Sequence, residues 1–375
     1  MRWASAVSRH EALEEAVAEA CAGVTSAMAG EHADLAVAFV SLQHAAAYDR
    51  VPSLVRAHLP HGLLIGCSAG GVIGGGHEIE EAPGFSITAA RLPDVTLTPL
   101  VGTGPTPPPL PGQPPQLILL ADPFSVDVEA LLHAIDTAHP DAVLVGGLAS
   151  GGRRPGENAL YLNDEVHSGG FVGVALDGNV VVDTIVAQGC RPIGEPMFVT
   201  RGERNVIFEL DGHPAVLALQ RQLDQLPKED RALVRQALFV GVVMRERQQQ
   251  YGQGDFLIRN VLGVEPKQAA LVVGTQVQEN QVVQFHLRDA KTSADDLIHL
   301  LARYREEPAG SLLFSCLGRG QHLYGRPDHD TDVFRAALGD VALGGFFCNG
   351  EIGPVQGRTF LHGYTSAFGL FRPRR

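Results

Sequence analysis

Two glycine-rich turns hold the residues best suited to chemistry. Gly66-Cys-Ser-Ala-Gly-Gly-Val-Ile-Gly74 and Gly345-Phe-Phe-Cys-Asn-Gly-Glu-Ile-Gly353 share the spacing G-x-x-x-x-G-x-I-G. The first offers the Cys67 thiol, the Ser68 hydroxyl, and Gly70 and Gly71, whose backbone amides can face an anion. The second sets Asn349, Gly350 and Glu351 beside an apolar strand. A carboxylate there either receives a ligand's ammonium group or pairs with an arginine such as Arg319 or Arg358. Arg319, in Cys316-Leu-Gly-Arg-Gly320, follows a strand end, and its planar fork suits bidentate recognition of a carboxylate. Arg319 with the turn amides would hold an anion, and Glu351 with Asn349 a cation. Together they match the two ends of an amino-acid-like ligand. Gly147, where a third apolar run meets a glycine pair, joins the ligand-contact set.

Competing chemistries are weaker. A nucleophilic Cys67 needs a base and an orienting partner, and the spacing to His77 does not bring an imidazole to the sulfur. A hydrolase or transferase using Cys67 or Ser68 in the same cleft is the alternative reading, with no catalytic residue assigned. His77-Glu78-Ile-Glu80-Glu81 lacks the second histidine of H-E-x-x-H and reads as a solvated acidic turn. Asp328-His329-Asp330 with Asp332 lacks the glycine and distal glutamate of a calcium loop, so Asp330 or Thr331 reads as a helix cap. No metal and no cofactor are expected.

Composition narrows the partners. A formal net charge of −13 over 375 residues argues against nucleic acid, whose non-specific affinity comes from Lys and Arg neutralising phosphates. Five cysteines without a C-x-x-C pair give neither a disulfide framework nor a zinc ribbon, and reduced thiols suit a cytoplasmic protein. No stretch approaches the roughly 18 apolar residues of a membrane span, and the N-terminus lacks a signal pattern. Neither nucleic acid nor membrane is an expected partner.

The positioning elements follow from periodicity. Leu13, Ala16, Val17, Ala20, Val24, Ala27 and Met28 mark an amphipathic opening helix. A strand over 35–40, a helix over 45–59 and a strand ending at Cys67 follow, with paired strands at 85–90 and 95–100. Residues 102–115, dense in Pro and Gly, read as a loop. Strand 117–120, a helix capped near Ser125 and strand 142–145 restore the alternation. Asp177-Gly178-Asn179 between apolar runs predicts a hairpin. A second unit begins near Arg204 with strand 206–210, the Asp211-Gly212 turn and a helix opened by Pro214. Strands near 239–244, 271–274, 282–287 and 312–316, a helix carrying Leu297, Leu300, Leu301 and Tyr304, and closing strands at 359–371 complete it. The expected class is mixed α/β (α+β). It comprises two sheet-and-helix layer units rich in antiparallel strands, a pseudo-duplication divided into residues 1–202 and 203–375, with both glycine turns on one cleft.

Five segments in order resemble the FIST family, named for F-box and intracellular signal transduction proteins, with N-terminal and C-terminal halves in tandem. They are Gly66-Cys-Ser-Ala-Gly-Gly71, Val145-Gly-Gly-Leu-Ala-Ser150, Glu209-Leu-Asp-Gly-His-Pro-Ala215, Phe314-Ser-Cys-Leu-Gly-Arg-Gly320 and Gly345-Phe-Phe-Cys-Asn-Gly-Glu-Ile-Gly-Pro354. The resemblance implies a cytoplasmic sensory module for small ligands such as amino acids, with no established catalytic residues. The chain is expected to carry no attached kinase, cyclase, methyl-accepting or F-box module. Its output would then pass through a protein signalling partner; a scaffold with a vestigial pocket is the remaining alternative.

Overall fold

A computed structural model describes residues 1–111, 114–245 and 250–374. It is an α+β protein of two compact units, Met1–Val186 with Leu297–Arg375, and Ala187–Asp296. Gly202 lies inside the long strand Cys190–Glu203, so the compact units divide elsewhere than between residues 202 and 203.

The larger unit repeats one plan three times. The first repeat runs β1 (Arg2–Ser8), α1 (Leu13–Ala27), β2 (Ala33–Ser41), α2 (Val51–His58), β3 (His61–Ala69), a short hairpin β4 (Gly71–Gly74) and β5 (His77–Glu80), then β6 (Phe85–Arg91). The second runs β7 (Val95–Gly102), β8 (Gln116–Ala121), α3 (Val128–Ala138), β9 (Val143–Leu148), the hairpin β10 (Leu160–Leu162) and β11 (Glu165–His167), then β12 (Phe171–Gly178). The third starts at β13 (Val181–Gln188) and is interrupted in sequence by the smaller unit.

That smaller unit is a closed barrel. Its strands are β14 (Cys190–Glu203), β15 (Val206–Leu210), the short β16 (His213–Pro214), β17 (Leu238–Val243), β18 (Phe256–Glu265), β19 (Ala270–Val273) and β20 (Val282–Arg288), with helices α4 (Ala215–Asp224) and α5 (Lys228–Ala237). The order β14-β20-β17-β18-β19-β15 closes on itself because β14 also pairs β15. Closure removes the exposed edges an open sheet would present. Val199, Ile207, Val240, Leu271, Val283 and Phe285 belong to its apolar core. Asp211 and Gly212, at φ 48° and 73°, form the expected tight turn into β16, both residues left-handed as a type I′ hairpin requires.

After α6 (Ala290–Arg303), the third repeat resumes with β21 (Gly310–Cys316), α7 (Gly320–Tyr324), α8 (His329–Leu338), β22 (Ala342–Cys348), the hairpin β23 (Glu351–Val355) and β24 (Arg358–His362), and β25 (Thr365–Arg372). The three sheets have matching orders: β1-β6-β2-β3-β10-β11, β7-β12-β8-β9-β23-β24 and β13-β25-β21-β22-β4-β5. At the centre of each lies one parallel pair, β2 with β3, β8 with β9, and β21 with β22. A helical crossover permits that pairing. Each repeat donates its hairpin to another repeat's sheet: β4–β5 to the third, β23–β24 to the second and β10–β11 to the first. The duplication legible in the two glycine motifs is thus one part of a threefold arrangement.

Central strands covered on both faces are apolar along their buried run, as in β2 from Leu35 to Val40 and in β8 from Leu117 to Ala121. One shared core joins Phe39 and Ile65 of the first repeat, Ile118 and Val145 of the second, and Phe314 and Phe346 of the third. Helices α1 and α2 cover the first sheet through Val17, Val24, Val51 and Val55, and α3 covers the second through Leu131 and Ile135. The glycine opening each turn lies against its parallel neighbour. A Cβ on Gly66 would meet the Ala38 carbonyl oxygen at 2.0 Å, on Gly146 that of Leu119 at 1.8 Å, and on Gly345 that of Leu313 at 1.9 Å.

Several local expectations fail, two of them at repeat junctions. β6 pairs β1 and β2 whereas β7 pairs β12, so residues 85–90 and 95–100 are not partners. The Asp177–Asn179 turn joins β12 to β13, which lie in different sheets, so it makes no hairpin. In both places the chain reverses as its turn residues demand, but burial of apolar faces decides the partner. Residues 42–50 form a 3₁₀ stretch before α2. The cap of α3 is Asp127, accepting from the Ala130 N–H at 3.0 Å, while Ser125 binds Asp122. Of the loop expected over 102–115, residues 112 and 113 lie outside the described residues.

Candidate functional site

The hairpin exchange brings the three glycine turns together. Phe347 pairs with Gly71 and Gly345 with Ile73 across β22 and β4, and Glu351 pairs with Gly147 across β23 and β9. Ser150 is the hub, its Oγ accepting the Gly70 N–H at 2.8 Å and donating to the Phe347 carbonyl at 2.5 Å. The Asn349 N–H donates to Leu148 O at 3.1 Å, the Leu148 N–H donates to Gly350 O at 2.9 Å, and Asn349 Nδ2 donates to Ala149 O at 3.3 Å. Cys67, Ser68, Gly70, Gly71, Gly147, Asn349, Gly350 and Glu351 therefore share one neighbourhood, although they come from three repeats.

Beside this junction opens a cavity of about 480 Å³, walled by Gly70, Gly71 and Phe347, by Leu317 and Gly318 after β21, by Gln321 and His322 of α7, and by Glu80 and Glu81. No lysine or arginine is among these lining residues. Glu80 Oε1 accepts the Gln321 N–H at 2.8 Å. Burial pushes the Glu80 pKa up, opposed by that N–H and reinforced by the charges of Glu81, Asp330 and Asp328.

Arg319 and Glu351 do not line this cavity. Arg319 is fully buried, and its Nε and Nη2 hold Asp330 at 2.8 and 3.1 Å while Nη2 donates to the Tyr324 hydroxyl at 2.6 Å. Asp330 also accepts Ser366 Oγ at 2.6 Å and faces His329 Nδ1 at 3.0 Å. Burial alone would raise its pKa, but the Arg319 charge and these hydrogen bonds outweigh it and hold the carboxylate well below its usual range. Asp330 is thus the buried anion of this network rather than a cap. Asp328 takes the N-cap position of α8 and makes no side-chain cap bond there. Glu351 Oε2 accepts the Thr365 N–H at 3.0 Å and its hydroxyl at 2.7 Å. Burial raises Glu351 to about 7, against those two bonds.

The first turn is locked by neutral groups. Ser68 Oγ donates to Asn158 Oδ1 at 3.2 Å and accepts the Ala159 N–H at 3.0 Å. Asn158 is in turn held by Asp122, to which Nδ2 donates at 2.8 Å. Cys67 is buried, and burial pushes its thiol well above the ordinary value.

Residue spacing does not disclose that, of the acidic run Glu78 to Glu81, Glu80 and Glu81 line the cavity while Glu78 is buried beside it. Glu78 and Glu80 alternate on β5 and so share one face of it. Glu78 is 1% exposed, its Oε1 accepting the Thr331 N–H at 2.9 Å and its own N–H donating to Asp328 at 2.6 Å. Burial, then the charge of Asp330, raises Glu78 to about 8. The expected solvated turn is therefore not solvated at this residue. Alternation over residues 77–80 was the available signal, but a four-residue strand does not say what covers it. Among the described residues, no group of three or more His, Cys, Asp or Glu is placed to hold a metal ion, and no helix is long and apolar enough to cross a membrane.

A fold of exchanged glycine turns around one junction defines the class of protein. Residues 34–213 match the FIST N domain and residues 215–354 the FIST C domain. The chain belongs to the FIST family, whose domains are associated with signal transduction and small-ligand sensing. It is similar to an uncharacterized protein of Mycobacterium tuberculosis, 37% identical over 99% of this chain and 100% of the relative. A second uncharacterized protein, from Mycobacterium bovis, is 36% identical over 95% of each chain.

Proposed function

We propose that this chain is a cytoplasmic sensor that binds a small polar metabolite, an amino acid or a relative of one, and passes its occupancy to a signalling protein. The observation that carries this reading is the cavity of about 480 Å³ where Gly70 and Gly71 of one glycine motif face Phe347 of the other. Its volume falls within the range of small-molecule sites, about 300 to 1,000 Å³. Glu80 supplies the charge that receives the ligand's ammonium group, and Gln321 and His322 offer polar contacts for the remainder. The Arg319–Asp330 and Glu351–Thr365 networks hold the loops that shape the wall, so Arg319, Asn349, Gly350 and Glu351 support the ligand from behind.

A hydrolase or transferase at Cys67 or Ser68 has less support. The thiol is buried in its neutral form, and the hydroxyl is engaged by Asn158 and Ala159 rather than by a base. A thermal-shift screen of amino acids, amines and carboxylic acids separates the readings. A sensor gains about 2.7 kcal/mol of stability at a ligand concentration a hundred times Kd and returns the ligand unchanged. Turnover of the ligand would favour the enzyme, and no shift across the panel would favour a scaffold.

A further inference from the structure

Cys316 and Cys348 close two adjacent parallel strands, β21 and β22, and stand directly in register. Neither is in a disulfide. In-register residues of parallel strands project from the same face, and neighbouring strands lie about 4.8 Å apart. That separation is within the roughly 4.4 to 6.8 Å between Cα atoms that a disulfide spans.

The two thiols differ in setting. Cys316 is half-buried and Cys348 buried. Cys316 Sγ accepts the Gly318 N–H at 3.5 Å, and the Arg319 N–H closes the same turn on the Cys316 carbonyl at 2.8 Å. A partly exposed sulfur met by an N–H donor is the more reactive of the two settings. Cys348 Sγ lies 3.3 Å from the Ser315 carbonyl and 3.5 Å from Glu351 Oε1, so a carboxylate stands beside the second thiol.

We propose that Cys316 and Cys348 form a hydroperoxide-responsive thiol pair, with Cys316 the attacking and Cys348 the resolving sulfur. The Cys316 thiolate attacks one oxygen of the hydroperoxide and the O–O bond breaks. The departing oxygen takes up the proton that Cys316 gave up, leaving Cys316 as a sulfenic acid. Cys348 sulfur then attacks the sulfenic sulfur, giving its proton to Glu351. The S–O bond breaks, and the hydroxide leaves as water with that proton. Two thiols and one hydrogen peroxide thus give one disulfide and two waters, the thiols losing two electrons to the peroxide. Glu351 suits the role because its burial makes it a stronger base than an ordinary carboxylate.

The test is peptide mapping, without reduction, of the full chain after exposure to hydrogen peroxide and alkylation. A Cys316–Cys348 cross-link, reversed by dithiothreitol, with Cys21, Cys67 and Cys190 still alkylated after unfolding, is the expected result. In Cys348→Ala, Cys316 should instead accumulate as a sulfenic acid trapped by dimedone, and in Cys316→Ser neither product should form. Glu351→Gln should slow disulfide formation about a hundredfold while the sulfenic acid forms at the wild-type rate. Circular dichroism checks folding of each variant, and the wild-type map decides by itself if a variant unfolds. An unmodified Cys316 in the peroxide-treated wild type, or Cys316 carried to sulfinic acid without a cross-link, would overturn the proposal.

Discussion

The turns at Gly66 and Gly345 occupy the same place in their repeats and are filled in opposite ways. Each opens with a glycine pressed on the carbonyl of its parallel neighbour, and each leads into a hairpin that completes another sheet. Behind the first turn, Ser68 and Asn158 make a neutral network anchored on Asp122. Behind the third, a buried guanidinium holds a buried carboxylate and Glu351 lies close by. The shared spacing therefore encodes a backbone manoeuvre, the crossing from sheet to sheet, and leaves the chemistry free to differ. The carboxylates lining the cavity come from neither turn's own side chains but from Glu80 and Glu81, at the end of the hairpin the first repeat donates to the third.

Breaking the charged turn should cost the most. Asp330→Ala strands the Arg319 guanidinium in the interior, and loss of about 3–5 kcal/mol is expected in denaturant unfolding. In the neutral turn, Asn158→Ala should cost less, about 1–3 kcal/mol for unpaired buried groups. Equal losses would erase the contrast between the turns.

Their common backbone device is tested by Gly66→Ala and Gly345→Ala. Each added Cβ must displace a neighbouring strand, and each should cost about 1–3 kcal/mol of overpacking. Gly345, at φ 153°, adds backbone strain to that overpacking, so Gly345→Ala should lose more in thermal unfolding than Gly66→Ala; equal losses would show that close approach alone sets the cost.

pH separates the turns further. Glu351 is raised to about 7 in the folded protein, so its contribution to stability is whole below the unfolded value near 4.5 and falls as pH rises through 7. Glu78, raised to about 8, acts in the same direction. Asp330 is lowered, so its contribution is present above its unfolded value and is lost only in acid. Wild type should thus weaken between pH 5 and 8. Glu351→Gln should shrink that loss by on the order of 1–3 kcal/mol, whereas Ser68→Ala should leave the pH slope unchanged. The smallest effect is expected outside both turns. Arg326→Ala removes a half-exposed pair with Asp332, and the change should stay under about 1 kcal/mol.

Much of this was legible in sequence and some was not, for physical reasons. The opening helix, the buried strands and the glycine turns follow from local periodicity, and the α+β class with them. The strand exchange was hidden, because a hairpin such as residues 71–80 carries its pairing only in an apolar face, and several sheets offer a matching one. The turn of the second repeat was concealed by its tail. Gly146 and Gly151 keep the spacing of the other two motifs, but Gly152, Arg153 and Arg154 stand where the others have x-I-G. Arg319 and Glu351 were read as an ion-holding pair, yet Arg319 finds its anion in Asp330. A sequence pattern names an arginine's need for a partner without choosing among nearby carboxylates.

The most direct test of the sensor reading is titration calorimetry of wild type and Glu80→Gln with the best-binding amine or amino acid from the screen. Stoichiometric binding by wild type, weakened at least about tenfold by Glu80→Gln with the thermal stability of the apoprotein retained, is the predicted result. Equal affinity in the two proteins would contradict the placement of the ligand's ammonium group, and with it the central claim.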